Sequence, residues 1–185
     1  CRGYAEEGRA YGLDPPFLRP DQLSTDTSGA LETFVHALEA CEQLDGCRYD
    51  LVLIAEPTSP LREPADIETT VKALLSTGAD AAVTVSRLDT KAHPHKVFSI
   101  VEGRLHYFST KGTTVTARQC LEPLYSRNGL CYGYRRETLL TKRALNTENT
   151  VSVITERPVA NVDEPIDLLW AEFLMERTPH IVSAT

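Results

Sequence analysis

The run Glu56-Pro57-Thr58-Ser59-Pro60-Leu61-Arg62 sets a carboxylate, two hydroxyls and a guanidinium along a backbone braced by prolines. Proline fixes φ and has no N–H, while Ser and Thr hydroxyls both donate and accept, so such a loop can aim polar groups at a multiply hydroxylated ligand. The same letters also describe a plain strand-to-helix turn whose Ser and Thr merely cap, and on pattern alone the two readings stand level. Asn161 and Asp163 form a second cluster, an amide oxygen and a carboxylate two residues apart. Asp163 fits as an ordinary helix N-cap. Arg118 and Arg127 carry the planar fork that grips carboxylate or phosphate oxygens in pairs, and Lys96 offers a point charge. The ordinary role of any one such residue is a solvated surface charge.

These residues need elements to position them. Leu51 to Ala55 is continuously apolar, as in a central strand covered on both faces. A helix follows from Pro64 to Gly78, then a second apolar strand from Ala81 to Val85; this unit predicts a parallel sheet with a right-handed crossover. Ligands of such sheets sit beyond the carboxyl ends of the strands, where both polar clusters fall. Upstream, residues 1–11 read as a helix closed by Gly12, Pro15 to Pro20 as extended chain, and Ser24 to Ser28 as N-cap candidates. The next helix has Leu31, Phe34, Val35, Leu38, Cys41 and Leu44 on its expected buried face. Downstream, Glu102-Gly103-Arg104 marks a hairpin between 97–101 and 105–108, and 109–127 is polar and irregular. Strands are expected at 130–134, 151–155 and 159–162, with a short helix near 137–143. Ile166, Leu169, Trp170, Phe173 and Leu174 form the stripe of a last helix with Asp163 at its N-cap.

A net charge of −7 argues against a nucleic-acid partner. No apolar run reaches the ~18 residues of a membrane span. The five cysteines contain no C-x-x-C pair and read as free thiols of a reducing compartment, so a cytoplasmic protein is expected. His93 and His95 lack a third ligand at metal spacing and read as surface imidazoles beside Lys96; His36 reads as packed and hydrogen bonded. The only methionine is Met175, and the chain opens inside an amphipathic pattern, so an upstream segment is expected.

The proline-braced run resembles the Gln-Pro-Thr-Ser-Pro-Leu-Arg motif of the acylneuraminate cytidylyltransferases, the CMP-sialic acid synthetase family. Further stretches agree in family order over nearly the whole chain. They are Arg19-Pro20 with Leu23 and Asp26, His36-Ala37-Leu38, His93-Pro94-His95-Lys96, Arg118-Gln119, Arg127-Asn128-Gly129, and Val162-Asp163-Glu164-Pro165-Ile166-Asp167-Leu168. The resemblance implies an α/β fold: a mostly parallel, Rossmann-like nucleotidyltransferase sheet with a small β-rich dimerisation insertion at 97–127. It implies transfer of CMP from CTP to a nonulosonic, sialic-acid-like sugar with release of pyrophosphate, using Mg2+, in a homodimer. Asp163, Lys96 and Arg118 would be catalytic, and Asp163 with Asn161 would hold the metal. Arg19 and Ser28 would meet the cytidine, and Glu56, Thr58, Ser59, Arg62, Gln119, Arg127 and Asn128 the remaining substrate groups. Two positions depart from the family pattern: Asn161 replaces an acid, and Glu56 replaces the usual glutamine. The family's first strand and its phosphate-cradling loop would precede Cys1, so residues 1–185 are expected to be one domain lacking them and a weak catalyst alone. Rivals are a transferase for Kdo or another sugar, and a non-catalytic nucleotide- or sugar-binding remnant.

Overall fold

In the computed structural model residues 2–25, 27–114 and 117–181 are described, with Arg118 and 178–181 by backbone alone. Helix α1 (Arg2–Ala10) ends at Gly12 as predicted, and α2 (Ala30–Asp45) follows the extended proline segment. The expected N-cap hydroxyl is not used. Gly29 takes that place without a side-chain bond, and Ser28 instead folds back on its own loop. Val35 and Leu38 are the buried core of the α2 face, Phe34 lies against Tyr134, and Leu44 remains exposed at the helix end.

β1 (Leu51–Ile54), α3 (Pro64–Thr77) and β2 (Ala81–Arg87) form the predicted strand–helix–strand unit. Their pairing differs from expectation. β5 (Tyr125–Arg135) lies between β1 and β2, and β6 (Thr150–Thr155) follows, giving the order β1-β5-β2-β6. β5 is antiparallel to β1, with Leu51 opposite Arg135 and Ile54 opposite Tyr132. It also runs against β2, since Arg135 N–H reaches Asp80 O at one end and Leu88 N–H reaches Leu124 O at the other. The α/β fold stands, but the sheet is mixed, and β1 is its edge. Leu53 is 39% exposed, which corrects the expectation of a strand covered on both faces. An apolar run reports what the side chains touch, here Ala37, Leu38, Cys41 and Tyr49 around a small cavity, not how many strands adjoin.

β3 (Phe98–Val101) and β4 (Arg104–Tyr107) make the predicted hairpin, with Glu102 and Gly103 both at positive φ as a type I′ turn requires. α4 (Arg136–Leu140) is shorter than predicted. Residues 159–162 form no strand. Val162 N–H donates to Thr58 O (2.8 Å). Helix α5 (Pro165–Ile181) turns Ala171 and Leu174 inward against Ala160, Leu61 and Val162. The predicted stripe is therefore largely outside: Leu169 is 60% exposed, and Trp170 stacks on Phe173 at the surface. A helix apolar on several faces does not show by periodicity which face is buried. Among the described residues no helix is long and apolar enough to cross a membrane.

The chain forms two compact units, one of 1–54, 67–82 and 132–151, the other of 55–66, 83–131 and 152–185. The first is organised around Asp80, which accepts from Lys142 Nζ (2.6 Å) and Thr147 Oγ1 (2.7 Å) while its carbonyl accepts from Arg135 N–H and Thr138 Oγ1. The bonds from Lys142 and then Thr147 hold its carboxyl below the ordinary range; the Arg136 guanidinium does the same to Glu42. A carboxyl lowered by folding adds stability that is full above its unfolded pKa of about 4 and is lost as pH falls through the folded value. Urea midpoints should therefore fall as pH drops from about 5 to about 3. Asp80→Asn should lower the midpoint at neutral pH and flatten that acid dependence; an unchanged slope would contradict the assignment.

Candidate active site

The turn after β1 is fastened to the start of β5. Glu56 N–H donates to Gly129 O (3.2 Å) and Ser59 N–H to Glu56 O (3.1 Å). The Arg62 guanidinium donates to three carbonyls, those of Glu56, Gly129 (3.2 Å) and Leu130. Ser59, fully buried, donates to Asn128 O (2.9 Å). Asn128 is also buried; its Nδ2 donates to Ser86 Oγ (3.0 Å) and its Oδ1 accepts from Leu130 N–H (3.3 Å). Arg62, Ser59 and Asn128, expected on the sequence to meet substrate, thus use these groups to brace the turn. Gly129 is required here twice over. Its φ is +73°, and a Cβ would lie 2.1 Å from Ser59 Oγ and 2.7 Å from Glu56 Oε2.

The braced turn meets the second cluster directly. Thr58 Oγ1 donates to Asn161 Oδ1 (2.9 Å), and Asn161 Nδ2 donates to Asp163 Oδ2 (2.8 Å). The amide orientation follows from its neighbours, because a carboxylate can only accept. Asp163 is not the cap of α5. Asp167 reaches back instead, its Oδ2 accepting from Glu164 N–H (2.8 Å) and Asp163 N–H (2.9 Å), and those bonds hold its carboxyl below the ordinary range. Asp163 stays exposed, with the Asn161 amide its one side-chain partner among the described residues. The sequence carried the signal for this in a repeated pattern, Glu63-Pro64-Ala65-Asp66 and Glu164-Pro165-Ile166-Asp167. In both copies the aspartate accepts from the backbone N–H of the glutamate three residues earlier, half of a capping box.

Lys96 belongs to the same unit, half-buried on a 93–96 turn, and its ammonium has no partner among the described residues. His93 is 3% exposed, which corrects its reading as a surface imidazole. Arg127 and Gln119 are exposed, the first opening β5 and the second in a 3-10 turn; Arg118 is in that turn, and its side chain, like Asp26, lies outside the described residues. Arg19 and Ser28 belong to the other unit. Arg19 Nε donates to Ser24 Oγ (3.2 Å), and Ser28 Oγ accepts from Thr25 N–H (3.0 Å) and donates to Gln22 O (3.3 Å). His36 packs edge-on against Phe17 with Nδ1 unpartnered, so it is packed as expected but lacks the expected bond there.

The fit to a divalent cation is narrow. No group of three or more ligating side chains exists among the described residues, and the Asn161 amide is turned toward Thr58 and Asp163. Asp163 remains as one carboxylate, which matches a Mg2+ held otherwise by waters and substrate phosphates. The bracing makes its own demand. Gly129→Ala should destabilise the protein by about 1–3 kcal/mol in urea titrations, through positive-φ strain and overlap with Ser59 and Glu56. A cost within error would mean the turn is not held by this packing.

No protein-family model matches the chain. Over 176 residues it is 31% identical to the CMP-N,N'-diacetyllegionaminic acid synthase of Legionella pneumophila, covering 90% of this chain and 71% of that protein. Over 168 residues it is 24% identical to the post-translational flagellin modification protein B of Campylobacter coli, covering 90% and 70%. Among solved structures, a CMP:2-keto-3-deoxy-manno-octonic acid synthetase complexed with CTP superposes with a TM-score of 0.60 at 16% identity, over 96% of this chain and 78% of that one. A putative glucose-1-phosphate thymidylyltransferase from Bacillus anthracis gives 0.51 at 14% identity, over 93% and 69%. At such identities the structures speak for the fold alone, that of the nucleotidyltransferases. The Legionella relative supplies the rest: the chain belongs to the acylneuraminate cytidylyltransferase family, the nucleotidyltransferases that make CMP-nonulosonic acids.

Proposed function

We propose that this protein transfers CMP from CTP to a nonulosonic acid. The sugar's anomeric hydroxyl attacks the α-phosphorus; the new O–P bond forms as the bond to the β-phosphate oxygen breaks, and pyrophosphate leaves. The observation that carries this reading is the chain of bonds from Thr58 through Asn161 to the exposed Asp163 carboxylate. Asp163 would hold Mg2+, which when bound offsets negative charge on the phosphates. The protein's own share is positioning and electrostatics. Lys96 and Arg118 offset charge on the phosphates, Arg127 and Gln119 take the sugar's carboxylate and polar arm, and Thr58 and Glu56 face its hydroxyls. Glu56 can accept from hydroxyls but cannot donate as glutamine does, so the sugar should present donors there. The Legionella relative is named for a diacetylated legionaminic acid, which puts that sugar first among candidates.

The test is CTP binding by calorimetry with Mn2+ as probe, and pyrophosphate release with a panel of keto-acid sugars. Asp163→Asn should weaken Mn2+-dependent CTP binding about tenfold and cut release about a hundredfold. CTP binding that ignores both metal and this substitution would end the proposal.

A homodimer through the β3–β4 hairpin is part of the same reading. Ile100 is 73% and Leu105 67% exposed, with Phe98, Val101 and Phe108 also outward, more apolar surface than a monomeric hairpin ordinarily shows. Light scattering should find a dimer that Ile100→Glu with Leu105→Glu converts to monomer; an undisturbed dimer would move the interface elsewhere.

A further inference from the structure

His93 raises a question that its neighbours answer. Its Nδ1 accepts from His95 N–H (3.1 Å), while its Nε2 is buried with no partner among the described residues. A ring nitrogen that accepts carries no proton, so the neutral imidazole carries its proton on Nε2. The result is an N–H donor that none of the described residues answers, which ordinarily counts against a fold. A residue needed only to fill this space would do better as leucine. What the imidazole supplies is the acceptor at Nδ1.

That acceptor holds a tight piece of backbone. Residues 93–96 are closed by Lys96 N–H donating to His93 O (2.7 Å), and the turn is tied upstream by His93 N–H to Thr90 O (3.4 Å). The His95 ring packs 4.9 Å from the His93 ring, and His95 O lies 2.8 Å from where a Cβ on Gly112 would stand, so the turn is seated against a neighbouring segment. Lys96 extends from the end of this seated turn with its ammonium uncommitted among the described residues. We infer that His93 is the positioning residue for Lys96: its unprotonated Nδ1, by holding His95 N–H, fixes the turn from which Lys96 reaches an anionic substrate. The inference rests on the role proposed above for Lys96.

Asparagine at 93 can place Oδ1 where Nδ1 lies, keeping the acceptor while an amide NH2 replaces the ring N–H; leucine fills comparable space with no acceptor. Long-range 1H–15N spectra of the whole chain should show His93 as the Nε2–H tautomer. Amide exchange at His95 should rise about tenfold or more in His93→Leu and stay near wild type in His93→Asn. In pyrophosphate-release assays His93→Leu should raise KM for the acidic sugar about tenfold with kcat less affected, and His93→Asn should restore it. An Nδ1–H tautomer, equal exchange in the two variants, or loss of sugar affinity in both would overturn the inference. If His93→Leu fails to fold, the wild-type tautomer and the His93→Asn exchange rate decide it. Acidic-sugar binding in calorimetry that ignores Lys96→Ala, beside the expected tautomer and exchange, would overturn the role of Lys96 and with it the positioning claim, while leaving the turn's architecture as described.

Discussion

The site depends on one close approach, that of the Pro-Thr-Ser-Pro turn to the left-handed backbone of Gly129. No side chain fits there, and the room left by its absence admits Ser59 Oγ and Glu56. Around this contact the bonds converge: Ser59 onto Asn128 O, Arg62 onto three carbonyls, Asn128 onto Ser86. Gly129 O accepts from both Glu56 N–H and Arg62, while Asn128 O and Leu130 O each take a side-chain donor. The turn thereby gains a rigidity that two prolines alone would not provide, since proline fixes φ but makes no tie across the fold. Thr58 is the residue left to act outward, and through Asn161 it orients the Asp163 carboxylate.

Much of this was legible in the residues and their order. The helices, the hairpin and the strand–helix–strand unit follow from periodicity and turn residues, and the ordered motifs identify the family. Pairing was not legible. That β5 lies between β1 and β2 is set by which strand comes to rest beside which, and alternation along one strand carries no record of its neighbour. Roles inside the motifs were not legible either. Ser59, Arg62 and Asn128 are the same letters whether they touch substrate or hold the turn, and only their burial and partners decide. His93 misled for a related reason: a histidine near a lysine resembles surface, and only its burial shows otherwise.

Helix capping shows a signal that was present and is simple to interpret once seen. Both loops that form the site pass into helices through Glu-Pro-x-Asp, and in both the aspartate secures the helix start. Ordinarily a lone acid before a helix is a cap. Here α5 begins at Pro165, so Asp163 lies one residue before the cap position, and an acid that is exposed, oriented by an amide and outside the cap position is available to a ligand. Asp163 meets all three conditions, which periodicity alone could not have established.

Asn161 is one of the two positions where this chain departs from the motif pattern it resembles, and electrostatics say what the departure does. An aspartate at 161 could still accept from Thr58, but it would set a second negative charge beside Asp163, two residues away with no basic partner shown for Asp163. Like charges so placed resist closing until a cation arrives. With asparagine, the amide donates to Asp163 and closes the arrangement by itself. The arrangement is then formed before any ligand binds, at the expense of one charge toward a metal. A cation brought to Asp163 would need more of its coordination from substrate phosphates and water, so its binding should be coupled more tightly to that of the nucleotide.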